Sequence, residues 1–268
     1  GKSDAARARR AIAARRSAMF DGRQGTAQRA REGLELCGDD ARAQFPFHAE
    51  IEAMRAADVR GGRAHREALK ALVKAADLSH DPVLHARAML RVARFDLLTG
   101  DASLGEDAAV NAVADLTTPS DAADDAPTHA PTHARLLAQA WRLVALARMQ
   151  RRNLDGAVEA LTRARSLTPS HDHRALAALA QQQAMLLLER NEPIAAVENL
   201  LVARAHRIAI ADAGGEAACV DGIAECYARV GRIGTALALL DSAPQRRARI
   251  GADAGRAHGQ KAEADALF

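Results

Sequence analysis

The most informative chemistry in this chain lies at fixed distances before the glycines that end its helical stretches. Thirteen and six residues before Gly22 stand Arg9 and Arg16; before Gly61, His48 and Arg55; before Gly100, Arg87 and Arg94. Residues seven apart share a helix face, so each of three helices carries two cationic groups on one side. Arg142, further along, joins the same candidate surface. Guanidinium groups grip carboxylates and phosphates through paired, charge-assisted hydrogen bonds, so the chemistry expected of this ladder is the binding of an acidic peptide. A plainer alternative stays open, because Arg is a strong helix former and charge runs are commonly solvated faces.

The later stretches, counted back from Arg152, Asn191 and Gly231, break the pattern. Their equivalent residues are Gln139 and Leu146, Ala178 and Met185, then Ala218 and Glu225, so the same surface turns apolar and mildly acidic. Between Phe95 and Ala134 there is no Lys or Arg, while Asp96, Asp101, Glu106, Asp107, Asp115, Asp121, Asp124 and Asp125 are present. This acidic flank either competes with a ligand for the basic rows or offsets local charge for solubility.

Other chemistry is sparse. No GxSxG, HExxH, Walker or dinucleotide-type glycine motif occurs, and no nucleophile stands beside a plausible base, so no catalytic residue is assigned and the segment is not read as an enzyme. His129 and His133, and His171 and His173, are close in sequence but lack companion ligands at metal-site spacing, so neither a metal nor a cofactor is expected. Cys37, Cys219 and Cys226 show no CxxC spacing and read as small buried apolar groups in a reducing compartment. The net charge of +3 over 268 residues is small. With no aromatics interleaved among the basic residues, nucleic acid is not an expected partner. No apolar run approaches the ~20 residues needed to span a bilayer, so a cytoplasmic location is expected and no membrane association.

The elements that must position the ladder follow from composition and periodicity. Ala, Leu and Arg are abundant while Phe, Trp and Tyr make up 3% of the chain, which favours helices and excludes the bulky core of a β-sandwich. Alanines recur at Ala27, Ala68, Ala109, Ala157, Ala196 and Ala236, in steps of 41, 41, 48, 39 and 40 residues. Six helix pairs result, at about 4–20 with 24–37, 46–60 with 63–78, 82–99 with 104–117, 138–150 with 154–169, 171–190 with 193–212 and 216–230 with 233–250. Glycines mark most of the turns inside pairs, with Asn191 in the fifth. The long step is explained by residues 119–134, a Pro, Asp and Thr stretch expected to be a mobile insertion. Offsets of 40 or 41 carry the pattern into 256–268, expected as a final unpaired helix of a longer protein, and a homodimer through that helix is an open alternative.

The stretch Ala138 to Pro169, with Trp141, Ala145, Ala157, Leu161, Ala164 and Pro169, resembles a tetratricopeptide (TPR) unit. Arg148 departs from it, because the family favours tyrosine there. The repeat, longer than the ~34 residues of a standard unit, is similar to the extended repeats of bacterial signalling proteins. The resemblance implies an all-α, right-handed TPR-like α-solenoid of antiparallel helix pairs over residues 1–268 as a single domain, with the first helix of each pair lining a concave surface. It further implies a non-catalytic scaffold that binds a protein or peptide as the regulatory or sensory region of a larger protein, such as a GGDEF diguanylate cyclase. The alternative is the signal- or peptide-sensing region of a transcription regulator.

Overall fold

The computed structural model describes residues 23–56, 62–118 and 130–241. Among them are eleven helices and no strand. We label these α1 (Arg23–Cys37), α2 (Ala41–Ala56), α3 (Gly62–Ser79), α4 (Pro82–Thr99), α5 (Ala102–Thr117), α6 (Ala130–Gln150), α7 (Leu154–Ser166), α8 (His173–Glu189), α9 (Pro193–Ala209), α10 (Ala213–Arg229) and α11 (Ile233–Asp241). The chain falls into two compact units, residues 1–143 and 144–268, and the division lies within α6.

One joint explains how the helices alternate. At the end of α4, Gly100 takes a left-handed backbone (φ +90°), which costs a residue without Cβ little. Its neighbour Asp101 donates its N–H back to the Asp96 carbonyl at 2.8 Å, while the Asp101 carboxylate accepts the Leu104 N–H at 3.1 Å. One residue therefore closes the old helix and caps the new one, satisfying groups that helix ends leave unpaired. The same joint recurs at Arg152–Asn153 and Ala211–Asp212, with left-handed φ of +62° and +52° and side-chain caps on Gly156 and Gly215. At Asn191–Glu192 the backbone closure is present, but Glu192 makes no side-chain cap. So short a joint forces consecutive helices to run antiparallel.

In the first unit, α2 packs on α1 and α3, and α4 on α3 and α5. Phe45, Leu72, Ala76 and Ala88 form one buried cluster across α2, α3 and α4. Ala86, Leu90, Ala112, Leu116 and Ala140 form another across α4, α5 and α6. In the second unit α8 packs on α7 and α9, and α10 on α9 and α11, around Ala184, Ala196, Val197, Leu200, Ile223 and Cys226. The marker alanines do what their spacing requires: Ala109, Ala157 and Ala196 are fully buried and Ala68 and Ala236 nearly so. Helices come closest where side chains are smallest. A Cβ placed on Gly105 of α5 would lie 2.7 Å from Leu97 of α4, and one on Gly33 of α1 would collide with the Phe47 ring of α2.

Two boundaries differ from the sequence-based expectation. The helix expected from residue 46 begins at Ala41, because Asp40 accepts the Ala43 N–H at 3.0 Å and caps it, leaving Pro46 inside the helix. The insertion expected at 119–134 is shorter, since residues 130–134 already form the start of α6; residues 119–129 lie outside the described residues. The expected helix at 256–268 also lies outside them.

Candidate functional site

The structure places Arg87 and Arg94 on one exposed face of α4, two helical turns and so about 10 Å apart along the axis. Among the described residues neither is paired with a carboxylate. His48 in α2 is half-buried, and burial pushes its imidazole below the ordinary histidine range. Arg55 is placed in α2, whereas Arg9 and Arg16 lie outside the described residues. Arg142 is half-buried on α6, three residues beyond the exposed ladder position Gln139.

Between these two arginines lies a group that sequence reading missed. Arg91 donates to the carboxylate of Glu52 and to the Ala49 carbonyl, the latter at 3.2 Å, both on α2. Glu52 is only 5% exposed, and its other oxygen lies 2.7 Å from His65 Nε2 on α3. A buried carboxylate is tolerated when it is paired and hydrogen-bonded, and here it joins three helices. The His65 ring meets Phe95 of α4 edge-on at 4.7 Å between centroids, and the Arg66 guanidinium lies 5.5 Å from the same ring. Arg91 thus ties α4 to α2, while the buried Ala86, Ala88, Leu90, Ala93, Phe95 and Leu97 turn the opposite side of the helix, with Arg87 and Arg94, outward. The signal available was the (i, i+4) and (i, i+3) placement of Arg91 relative to those two residues; its partner, 39 positions away, was not readable.

The acidic flank is already partly employed. Asp115 Oδ2 lies 2.6 Å from His85 Nδ1, while His85 Nε2 lies 3.3 Å from Asp77 Oδ1, so one imidazole joins α3, α4 and α5. Asp101 is a cap, and burial together with the nearby Asp101 raises the Asp96 carboxyl above its ordinary value. Asp121, Asp124 and Asp125 lie outside the described residues.

At the equivalent positions of the later pairs, Gln139, Met185, Ala218 and Glu225 are exposed and Leu146 and Ala178 half-buried. Glu225 pairs with Arg229 at 2.7 Å. Four of the six counted positions are therefore exposed and two half-buried, with character that passes from basic to apolar and acidic along the chain. No group of three or more His, Cys, Asp and Glu residues is arranged to hold a metal ion among the described residues. None of the described helices is long and apolar enough to cross a membrane.

No protein-family model matches the chain, and no curated protein matches it in sequence. Solved structures do match in fold. The chain is similar to BtubC (BKLC) from P. vanneervenii, at 15% identity and TM-score 0.63, over 85% of this chain and 89% of that one. It is similar to the apo form of RapI at 12% identity and TM-score 0.55, over 77% of this chain and 53% of that one. A kinesin light chain candidate from Podosopora anserina with nearly identical TPR-like repeats matches at 16% identity and TM-score 0.52, over 79% of this chain and 97% of that one. These likenesses show the fold, an all-α, right-handed TPR-like solenoid of antiparallel helix pairs.

Proposed function

We propose that this chain is a non-catalytic scaffold that binds a protein or peptide segment of acidic character through the exposed face of its first-in-pair helices, with Arg87 and Arg94 as the principal contacts. The observation that carries this reading is the exposure of both guanidinium groups, unpaired among the described residues, on a helix tied to α2 by Arg91 and Glu52. An unpaired guanidinium is available to grip a carboxylate through charge-assisted, bidentate hydrogen bonds. Arg9, Arg16, His48 and Arg55 extend the surface in this proposal; Arg142 contributes at its edge. The apo state in which RapI was solved accords with a TPR-like fold that takes a ligand.

In this reading residues 1–268 are one cytoplasmic domain that regulates a larger bacterial signalling protein, and nucleic acid is not its partner. The fold and the repeat period near 40 support that context by analogy with extended TPR-like sensory segments.

The test is binding of acidic, neutral and basic peptides of equal length, followed by fluorescence anisotropy at rising salt. Acidic peptides should bind selectively and weaken with salt, because screening limits exposed charges to a reach of ~8 Å near physiological ionic strength. Changing Arg87 and Arg94 together to Glu should weaken binding about tenfold or more, the effect of losing two exposed charge contacts of up to ~1 kcal/mol each. Unchanged affinity in that variant would refute the assignment of the site.

A further inference from the structure

His173 opens α8 and His206 lies in the last turn of α9. Their Nδ1 atoms face each other at 3.0 Å, with ring centroids 5.2 Å apart. The centroid separation exceeds the N···N distance by about one imidazole width, so the two nitrogens lie close to the line joining the rings. That is the arrangement of an N–H···N hydrogen bond and not of a stacked pair. Such a bond holds one proton. With both rings neutral, one donates Nδ1–H and the other offers its lone pair; with one ring charged, the bond persists in charge-assisted form. A second charge leaves two N–H groups and two cations facing each other.

The surroundings offer a second charge little relief. From α7, Arg165 adds positive potential at His206, and burial, the facing His173 and that arginine hold the His206 imidazole below the ordinary histidine range. The carboxylates of neighbouring elements already have partners. Glu216 of α10 binds Arg204 of α9 at 2.7 Å, Asp212 before α10 binds Arg207 at 2.6 Å with Arg174 of α8 nearby, and Asp172 caps α8 through the Ala175 N–H. In the first unit His65 and His85 face carboxylates instead.

We propose that His173 and His206 form an acid-releasable latch between the start of α8 and the end of α9, closed while the two rings share at most one proton and opened when both are charged. The folded state resists protonation of His206, so this stabilisation is fully present above the unfolded histidine value near 6.5. It is lost as the pH falls through that value and on through the lower value of the folded protein.

Two measurements on the full chain test the proposal. Imidazole nitrogen NMR should show His206 titrating below about 6.5 in the wild type and closer to that value in H173Q, since removing the facing ring removes one cause of resistance. Amide hydrogen exchange in the first turn of α8 and the last of α9 should accelerate between pH 7.5 and 5, beyond the intrinsic pH effect. That acceleration should vanish in H206Q. A His206 midpoint that is ordinary in the wild type, or the same in H173Q, would overturn the latch, as would equal acceleration in wild type and H206Q. Should H173Q not fold, the wild-type titration and the exchange comparison still decide.

Discussion

The Arg148 guanidinium donates a hydrogen bond to the main-chain carbonyl of Gly156 at 3.0 Å, tying the end of α6 to the first turn of α7. At the position where the TPR resemblance implies a tyrosine, this chain places a charged group that bonds a carbonyl of the next helix. The aliphatic stem can cover apolar neighbours while the head finds polar partners.

Replacing Arg148 with Ala should therefore cost about 2 kcal/mol, since hydrogen bonds to charged groups contribute roughly 1.5–3 kcal/mol and the stem's packing is lost as well. A lower urea midpoint for the variant checks this. A midpoint equal to the wild type would mean that the bond contributes nothing net.

The left-handed residue Ala211 offers a gain in stability. A Cβ in that conformation costs about 1–2 kcal/mol, some of which the greater freedom of glycine in the unfolded chain offsets. Ala211→Gly should raise stability by about 0.5–1 kcal/mol, or roughly 2 °C in melting temperature for a chain of this size. Glu192→Asp, which restores a short capping carboxylate to α9, should add about 1 kcal/mol. Differential scanning calorimetry of both variants is the check.

Removing Arg91 takes one of two partners, leaving only His65, from a carboxylate that is almost fully buried. Arg91→Met should lose about 2 kcal/mol, below the 3–5 kcal/mol seen when fully buried pairs are broken, because the arginine side chain is 39% exposed. Adding Glu52→Gln to that variant should restore some of the loss. A double-mutant cycle showing simple additivity would mean that the two groups are not coupled.

The thiols of Cys219 and Cys226 are fully buried, and burial raises both above the ordinary cysteine range. Ellman's reagent should modify them in the native protein only as fast as local opening allows, and readily in denaturant. Immediate labelling of either under native conditions would contradict their placement.

Much of this architecture was legible because it depends on residues close in sequence. The alanine period located the helices, and Gly100, Asn191 and Gly231 stood where the chain takes a left-handed turn. Arg152 and Ala211 adopt the same conformation but have no intrinsic preference for it, so only the backbone closure around them reveals the joint. The start of α2 was placed at residue 46, five residues late, while the cap that sets the boundary is Asp40. At the candidate site, the exposure of Arg87 and Arg94 followed from their spacing. Glu52, His65 and Arg91 did not, because their meeting depends on how three helices pack.

The near contacts at Gly33 and Gly105, and the fully buried Ala109, Ala157 and Ala196, invert the usual map of mutational tolerance. In a core of large side chains, truncation does the damage and the cavity sets its size. In this chain the helix crossings have almost nothing to truncate, so the harm comes from growth. One added methyl at Gly105 must displace Leu97, and a valine at Ala157 must push its helix away from the neighbour, costing typically about 1–3 kcal/mol each. Sequences that drift while keeping this fold are thus held to their smallest residues at these crossings, as well as to the buried leucines such as Leu72 and Leu161 that fill the space beside them.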